Sequence, residues 1–197
     1  MQDPLTLALH VMMGLSLAAC TGLRAFLPLL IVGGVARAGH LTLSPDFRFL
    51  ASDASLLIFA VATVVEMAGD KIPAVDHALD ALGTFVKPLA ATAVFVSVNS
   101  ELKPLHAVVL GLLSGGGTAA LFHLKKASVR LVSSVGTFGL GNPVLSMAED
   151  LACGAGAVMS VMVPILAFVM VLFVVAMGAW ALRHLRAASS SAPRPPA

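Results

Sequence analysis

Residues 161–182 read VMVPILAFVMVLFVVAMGAWAL, a run without a charged side chain. An α-helix needs about 20 consecutive apolar residues to cross the hydrocarbon core of a bilayer, so this run predicts a transmembrane helix. Trp180 and Arg183 lie at its end, and tryptophan and basic residues are typical of a membrane interface. The fold class that we expect is therefore all-α, a bundle of helices in lipid.

The composition extends this prediction to the rest of the chain. Of the 197 residues, 58% are apolar and 11% are charged, whereas roughly 25% are charged in soluble domains. We predict a polytopic bundle of about six crossings that forms one domain over residues 1–186, followed by a disordered Ser- and Pro-rich tail at 187–197. The net charge of +2 is small and the basic residues form no stripe, so no nucleic-acid partner is expected.

Two apolar stretches are interrupted by small residues. The stretch at 5–36 is too long for one straight crossing, and TGLR at 21–24 interrupts it ahead of Pro28. The stretch at 106–124 is interrupted by SGGGT at 114–118. Such interruptions predict half-helices or kinks near mid-membrane. The predicted break residues are Thr21, Gly22, Gly115, Gly116, Gly117 and Thr118.

The two interrupted stretches also resemble each other. Aligning Gly14 with Gly111 brings Thr21 onto Thr118 without a gap. This match predicts an internal duplication, and two halves of three crossings each would have opposite orientations, the 3+3 inverted repeat common in transporters. Chance similarity between glycine-rich apolar helices is the alternative. The predicted halves are residues 5–98 and 105–183.

Charged residues near these apolar stretches are the functional candidates, because a charge in a membrane costs several kcal/mol unless it is paired or hydrated. Arg24 follows the first interruption, where a fixed cation and the N-terminus of a half-helix suit an anion. A structural ion pair between Arg24 and Glu66 or Asp150 is the alternative. The substrate- or ion-binding candidates are Arg24, Glu66, Asp70, Lys71, Asp76, His77, Glu149 and Asp150.

The acidic candidates occupy corresponding places in the two halves, where carboxylates suit a cation or a proton relay. Pro73 predicts a short helix that puts Asp76 and Asp80 one turn apart, and a solvated face is the favoured interpretation of that pair. Lys87, two residues into the next apolar stretch, is expected to snorkel to the interface. We expect no catalytic residue and no cofactor, and the sequence leaves a metal site undecided.

Several strings of the sequence together resemble an uncharacterised bacterial membrane family, catalogued as domain of unknown function 4126. One string is EMAGDKIPAVDH at 66–77, of which EMAGDKIP at 66–73 is the most specific part, and the resemblance extends over about residues 10–175. It implies a multi-pass protein of the bacterial inner membrane and implies no activity. The other strings are GLRAFLP at 22–28, Lys87-Pro88, Asn142-Pro143 and Glu149-Asp150.

The leading functional hypothesis is a small-solute or ion transporter, or a channel-like protein, with a charged central site between the two halves. A lipid-handling or membrane-assembly protein, in which the charges only hold helices together, is the alternative. An intramembrane enzyme would need a metal near Asp76 and Asp80. The expected partners are membrane lipids and a small solute or ion, and homo-oligomer formation is left open.

Overall fold

The computed structural model describes residues 3–137 and 141–190, which are almost entirely helical. These residues contain no β-strand, so the all-α prediction is confirmed. A 3₁₀ helix, Pro45–Ala51, precedes the third α-helix, and a π-helical turn, Gly111–Gly116, joins the fifth to the sixth. The α-helices of the described residues are α1 (Pro4–Leu23), α2 (Leu27–Arg37), α3 (Asp53–Gly69), α4 (Pro73–Val98), α5 (Pro104–Leu110), α6 (Gly117–Thr137), α7 (Asn142–Met162) and α8 (Pro164–Ser190).

Five stretches of the described helices are long and apolar enough to cross a membrane. A sixth crossing results if the 3₁₀ helix and α3, which are bent by 64° against each other, count as one span. The chain is therefore a multi-pass helical membrane protein, as the sequence predicts, while the inverted repeat stays a prediction. The five stretches are Pro4–Leu23, Ala78–Val98, Pro104–Ser133, Asn142–Met162 and Pro164–Ala181.

The first helix break lies after the predicted residues, because Thr21 and Gly22 both belong to the last turn of α1. Arg24 leaves the helix with an extended backbone (φ −132°, ψ 118°), and α2 carries Pro28 in its first turn. Proline is favoured in a first turn, where its missing N–H has no helical partner, so the break falls just before it. Gly22 serves packing instead, since a Cβ there would lie 2.5 Å from the carbonyl oxygen of Ala119 in α6.

The second predicted break, at Gly115, Gly116, Gly117 and Thr118, is not a break, because the chain continues through the π-helical turn into α6. A π turn keeps its backbone hydrogen bonds and widens the helix without interrupting it. The glycines allow α4 to approach closely, since a Cβ on Gly115 would lie 3.1 Å from Cβ of Phe95. Close packing at small residues is usual between membrane helices.

Two helices are longer than the sequence indicates. The predicted short helix after Pro73 and the following crossing form one continuous α4, with Pro88 inside it. The last helix, α8, runs to Ser190, so the beginning of the predicted disordered tail is helical. The remainder of that tail, residues 191–197, lies outside the described residues.

Helix α1 is the centre of the bundle and packs against α4, α6, α7 and α8. Its Leu17 is fully buried together with Val94 of α4 and Cys153 of α7. By contrast, α8 exposes large apolar side chains such as Phe173 and Trp180, as a helix that faces lipid should. The consequence for the site is that the C-terminal end of α1, where Arg24 follows, is surrounded by other helices.

Candidate functional site

Seven charged side chains meet where α1 and α3 end, where α4 begins, and where the second half of α6 passes the first half of α7. None of them exposes more than 13% of its side chain. Charges buried to this extent must be paired, and these are paired with one another. We call this group the charge cluster, and its members are Arg24, Asp70, Asp76, Lys126, Arg130, Glu149 and Asp150.

Arg24 connects the end of α1 to α3 and α7. Its Nη1 donates a short hydrogen bond to Oδ2 of Asp70, and its Nη2 donates to the hydroxyl of Ser146 at 2.9 Å. Its Nε lies 2.5 Å from Oδ1 of Asp150, an ion pair outside hydrogen-bond geometry. Of the two ion-pair partners that the sequence suggests for Arg24, Asp150 is one and Glu66 is not, while the pair with Asp70 was not predicted. Anion binding at Arg24 stays a prediction.

Lys126 and Arg130 of α6, one helical turn apart, supply the other two cations. The Lys126 ammonium lies 3.2 Å from Asp70 and 3.5 Å from Glu149. The Arg130 guanidinium donates to the same two carboxylates at 2.8 and 2.9 Å, and its Nη1 donates to Asp76. Neither cation is among the sequence candidates, because basic residues after an apolar stretch are typical of a helix end. Their i, i+4 spacing is the signal that could have identified them.

Asp70 is the hub of the cluster, since Arg24, Lys126 and Arg130 all contact it. Burial by itself would raise the pKa of Asp70, but the charges of Lys126, Arg24 and Arg130 outweigh burial and lower that pKa to about 2. The carboxylate is therefore ionised at every physiological pH. It holds three helices together as a permanent anion.

Glu66 has a different task from the cluster acids. Its Oε1 accepts a hydrogen bond from the backbone N–H of Ala25 at 3.0 Å, and its Oε2 accepts one from that of Phe26 at 3.5 Å. These N–H groups belong to the break that precedes α2, where a helix leaves its donors unsatisfied. A carboxylate at a helix N-terminus also opposes the positive end of the helix dipole. Glu66 therefore caps α2 from the neighbouring helix α3.

The remaining acidic and basic candidates divide between the cluster and its surroundings. Asp76 is buried against Arg130, so the solvated face favoured from the sequence is wrong for this residue. Asp80 exposes 26% of its side chain, with Oδ1 3.9 Å from Lys126. Lys71 is exposed, and its ammonium donates to the carbonyl of Met67 at 3.3 Å instead of joining the cluster.

One candidate, His77, lies partly outside the described residues. Its backbone belongs to α4, but its side chain is outside the described part of the structure. Its predicted role beside the acids stays a prediction.

A second buried polar group lies beside the cluster, on α4 and α6. Lys87 is only 2% exposed, so it does not snorkel to the interface as its position in the sequence predicts. Its ammonium lies 3.1 Å from Nδ1 of His123, whose Nε2 is 3.4 Å from the hydroxyl of Thr84. The helix that carries Lys87 begins well before this residue, which places Lys87 in its middle and too deep to reach the interface.

Two cavities adjoin these polar groups. The smaller, of about 190 Å³, lies between α3 and α4 and is lined by Glu66, Lys87 and apolar side chains. The larger, of about 480 Å³, is an apolar groove bordered by α1, α6, α7 and α8, with Lys125 and Lys126 on its wall. Ligand sites are typically concave and largely apolar with a few polar groups, which both cavities satisfy.

A metal site finds no geometric support in residues 3–137 and 141–190. In these ranges no three His, Cys, Asp or Glu side chains are arranged to hold a metal ion. Asp76 and Asp80, on which the enzyme hypothesis depends, each lie near a cation, Arg130 and Lys126 respectively. A divalent ion at this position would have to displace those cations.

Comparison with known proteins gives one result. A family model described as a domain of unknown function (DUF4126) matches residues 11–184, which confirms the resemblance read from the sequence. No curated protein and no solved structure matches the chain at a significant level.

Proposed function

Since the chain belongs to the DUF4126 family, whose description names no activity, we propose its function from the geometry of the site: it is a transporter or channel-like protein for a small solute or ion, most specifically a small cation. The charge cluster is the central site of this transporter. The conformation described above is a closed one, in which the charges of the protein neutralise one another.

The observation that carries this proposal is that the two predicted halves of the chain meet through buried ion pairs. Arg24, Asp70 and Asp76 belong to the first half, and they contact charged side chains of the second. Buried ion pairs seldom stabilise a protein more than apolar packing would, so they are weak evidence for a purely structural role. They suit an interface that must open, because a charged solute can replace one partner without leaving the other unpaired.

The charge balance of the cluster favours a cation over an anion. Its four carboxylates, Asp70, Asp76, Glu149 and Asp150, face three cations. One negative charge is therefore left over within the cluster. A small cation that enters would complete the neutralisation.

Lys126 is the member of the cluster that would move aside to admit a cation. Its ammonium lies 3.2 and 3.5 Å from Asp70 and Glu149, whereas Arg130 holds the same carboxylates at 2.8 and 2.9 Å. An ammonium is a point charge on a flexible stem, while a guanidinium binds carboxylates through a rigid fork. The lysine therefore moves aside more readily than either arginine.

Cation flux into liposomes tests this function. The purified protein is reconstituted, and the swelling of the liposomes in potassium, sodium, ammonium or choline salts is followed by stopped-flow light scattering. We expect at least one salt to enter faster than in protein-free liposomes. Lys126→Gln should lower that flux about tenfold, which corresponds to about 1.4 kcal/mol in the transport barrier.

The matched control is Lys125→Gln, the adjacent lysine of α6, whose ammonium donates to the carbonyl of Val174 in α8 instead of joining the cluster. Gel filtration and circular dichroism establish that both variants are folded. Absence of flux in every salt, or full flux in folded Lys126→Gln, would contradict the proposal.

A lipid-handling or membrane-assembly protein is the second candidate. The large apolar groove supports it, because its 480 Å³ and the nearby ammonium of Lys125 suit an acyl chain and an anionic headgroup. This candidate predicts no flux in any salt. It predicts instead that native mass spectrometry detects lipid on the purified protein, and that Lys125→Gln reduces the bound fraction.

A further inference from the structure

Lys87 is a buried cation without a carboxylate partner. Among the described residues, every other lysine or arginine buried to a comparable extent, namely Arg24, Lys126 and Arg130, forms ion pairs with carboxylates. Lys87 forms none, and its polar contact is the imidazole of His123 at 3.1 Å. A buried charge with only a neutral partner is costly, so the group is retained for something other than stability.

The hydrogen bonds around His123 assign its tautomer. The hydroxyl of Thr84 donates its single hydrogen to the carbonyl of Asp80 at 3.1 Å, so towards His123 it can only accept. Nε2 of His123 lies 3.4 Å from that hydroxyl, an arrangement that suits a proton on Nε2. In the neutral ring, Nδ1 is then a bare acceptor, which is what the ammonium of Lys87 requires.

The Lys87–His123 pair therefore holds one mobile proton between two basic atoms. If both Nζ and Nδ1 carried their full complement of protons, two donors and two positive charges would face each other at 3.1 Å in a buried place. With the proton on Nζ, Lys87 is an ammonium and His123 is neutral. If an Nζ–H bond breaks and an Nδ1–H bond forms, Lys87 becomes a neutral amine and His123 an imidazolium.

The groups that surround the pair leave this single charge in place. Glu66 of α3 shares the small cavity with Lys87, and Asp80 lies one turn before Thr84 on α4. Asp70 and Lys126 lie farther from the pair, in the charge cluster, where they contact each other. The pair thus feels carboxylates from two helices and one ammonium from the third, without direct contact with any of them.

The small cavity gives the pair a route for proton exchange. Its volume of about 190 Å³ has room for several water molecules, and Glu66 and Lys87 supply polar contacts on its wall. Gly83 leaves room for the pair, since a Cβ there would lie 3.1 Å from Cε of Lys87 and 3.5 Å from Cε1 of His123. A proton leaving Nζ passes to a water molecule as hydronium and leaves a neutral amine behind.

We propose that Lys87 and His123 form a proton-exchange site, which holds one shared proton and opens on the cavity between α3 and α4. This proposal deepens the transport function and rests on it in one respect, namely that the proton is the coupling ion for the cation. Loss of the proton removes one positive charge from the neighbourhood of the charge cluster, so proton release and cation entry compensate each other.

Nitrogen NMR tests the site itself, independently of transport. Protein with ¹⁵N-labelled histidine is placed in lipid nanodiscs, and the spectra are recorded at neutral pH. We expect a neutral His123 with the proton on Nε2 and a bare Nδ1, whereas the exposed His106 should show the tautomer mixture of an ordinary histidine. A neutral ring with its proton on Nδ1, or the same tautomer mixture as in His106, overturns the proposal.

Two variants sharpen this measurement. Thr84→Val removes the acceptor of the Nε2 proton without altering any charge, so the Nε2 resonance of His123 should shift while Lys87 keeps Nδ1 unprotonated. Lys87→Met removes the donor to Nδ1, so the tautomer of His123 should become mixed. Lys125→Met, on the same helix as His123 but directed at α8, should change nothing. If the His123 spectrum were unchanged in both Thr84→Val and Lys87→Met, the proposed hydrogen bond between Lys87 and His123 would be wrong, even if one of the two variants folded poorly.

Proton uptake tests the coupling. Liposomes loaded with a pH-sensitive dye receive the cation that the wild-type protein transports, and we expect internal alkalinisation that depends on it, because a proton leaves as the cation enters. In Lys87→Met the proton signal should fall about tenfold, which corresponds to about 1.4 kcal/mol in the barrier. Cation flux without a proton signal would overturn the coupling while the transport function stands. Absence of any cation flux would overturn the transport function and the coupling with it. The proton-exchange site itself would then be decided by the NMR result alone.

Discussion

Lys126 and Lys87 are both buried lysines of the same bundle, 3% and 2% exposed, yet they have opposite surroundings. Lys126 lies among carboxylates, within 3.5 Å of both Asp70 and Glu149. Lys87 faces the imidazole of His123 and a cavity. The comparison shows two ways to keep a cation out of water: carboxylates can neutralise it, or a base such as imidazole can accept its hydrogen bond. The first arrangement suits the proposed cation site and the second the proposed proton-exchange site.

We expect the largest loss of stability when the charge cluster loses Arg24, its most buried member. Arg24→Gln leaves Asp150 without its cation and removes one of the three cations from Asp70, and removal of one partner from a buried pair costs about 3–5 kcal/mol. We expect the variant to unfold at much lower temperature in detergent, as followed by circular dichroism. The matched control is Arg37→Gln, whose exposed ion pair with Asp53 is worth about 0–1 kcal/mol.

A double variant decides whether the loss reflects unpaired charge. Arg24→Gln combined with Asp150→Asn removes one of the stranded carboxylates, and we expect it to recover part of the lost stability. Equal unfolding temperatures for Arg24→Gln and Arg37→Gln would show that the stability of the protein does not depend on the ion pairs of the charge cluster.

The second-largest effect should be the loss of folding stability in acid. Because the pKa of Asp70 is lowered to about 2 in the folded protein, its contribution is present above its ordinary pKa and is lost as the pH falls towards the folded value. We expect a loss of about 2–3 kcal/mol between about pH 4 and pH 2. Thermal unfolding measured over this range should show the loss in wild type and in the exposed Asp53→Asn, but not in Asp70→Asn. An identical acid response in Asp70→Asn would contradict its place as the hub.

A substitution at Gly22 should test the packing of α1 against α6, the helix that carries both Lys126 and His123. A Cβ on Gly22 would lie 2.5 Å from the carbonyl oxygen of Ala119 and 2.6 Å from Cβ of Phe122, so Gly22→Ala must push α6 away from α1. Overpacking of this kind costs about 1–3 kcal/mol. Gly117→Ala, on α6 itself, is the control, since its Cβ would meet nothing within 4 Å. Equal melting temperatures of the two variants would show that α1 and α6 do not need this contact.

The smallest change in stability should come from substitution of Lys87, the buried lysine that has no carboxylate partner. Lys87→Met replaces a buried cation by an apolar side chain of similar length, and we expect a change of less than about 1 kcal/mol because the lost hydrogen bond is offset by the lost desolvation. Lys126→Met should cost about 1–3 kcal/mol, since Asp70 and Glu149 each lose a partner. Melting temperatures in one detergent compare them directly. Should Lys87→Met prove as destabilising as Lys126→Met, the contrast between the two lysines would be wrong.

The sequence draws attention to residues whose chemistry conflicts with their surroundings. Arg24 and Asp150 each stand in or beside an apolar stretch, and both belong to the charge cluster. Burial of a charge is expensive wherever it occurs, so this conflict is visible without coordinates. The sequence could not identify the partners. Lys126 and Arg130 look like ordinary residues at a helix end until α6 is seen to continue past them.

The helix breaks illustrate a second limit. Glycine permits a break and a close approach equally well, so Gly22 and Gly115 are compatible with both. Only the neighbouring helix decides between them, and in each case it lies close enough that a Cβ would meet it. Proline is more informative, because Pro28 fits a first turn and determines where α2 can begin.

By itself, the sequence determined that this protein is a multi-pass helical membrane protein and which charged residues would need partners, because hydrophobicity and the cost of buried charge depend on residue type alone. The tertiary structure decided which carboxylate meets which cation, and why Lys87 meets none. Those outcomes depend on how α1, α4 and α6 approach one another, to within an ångström at Gly22. Such distances are set by packing between segments far apart in the chain, which no local pattern of residues records.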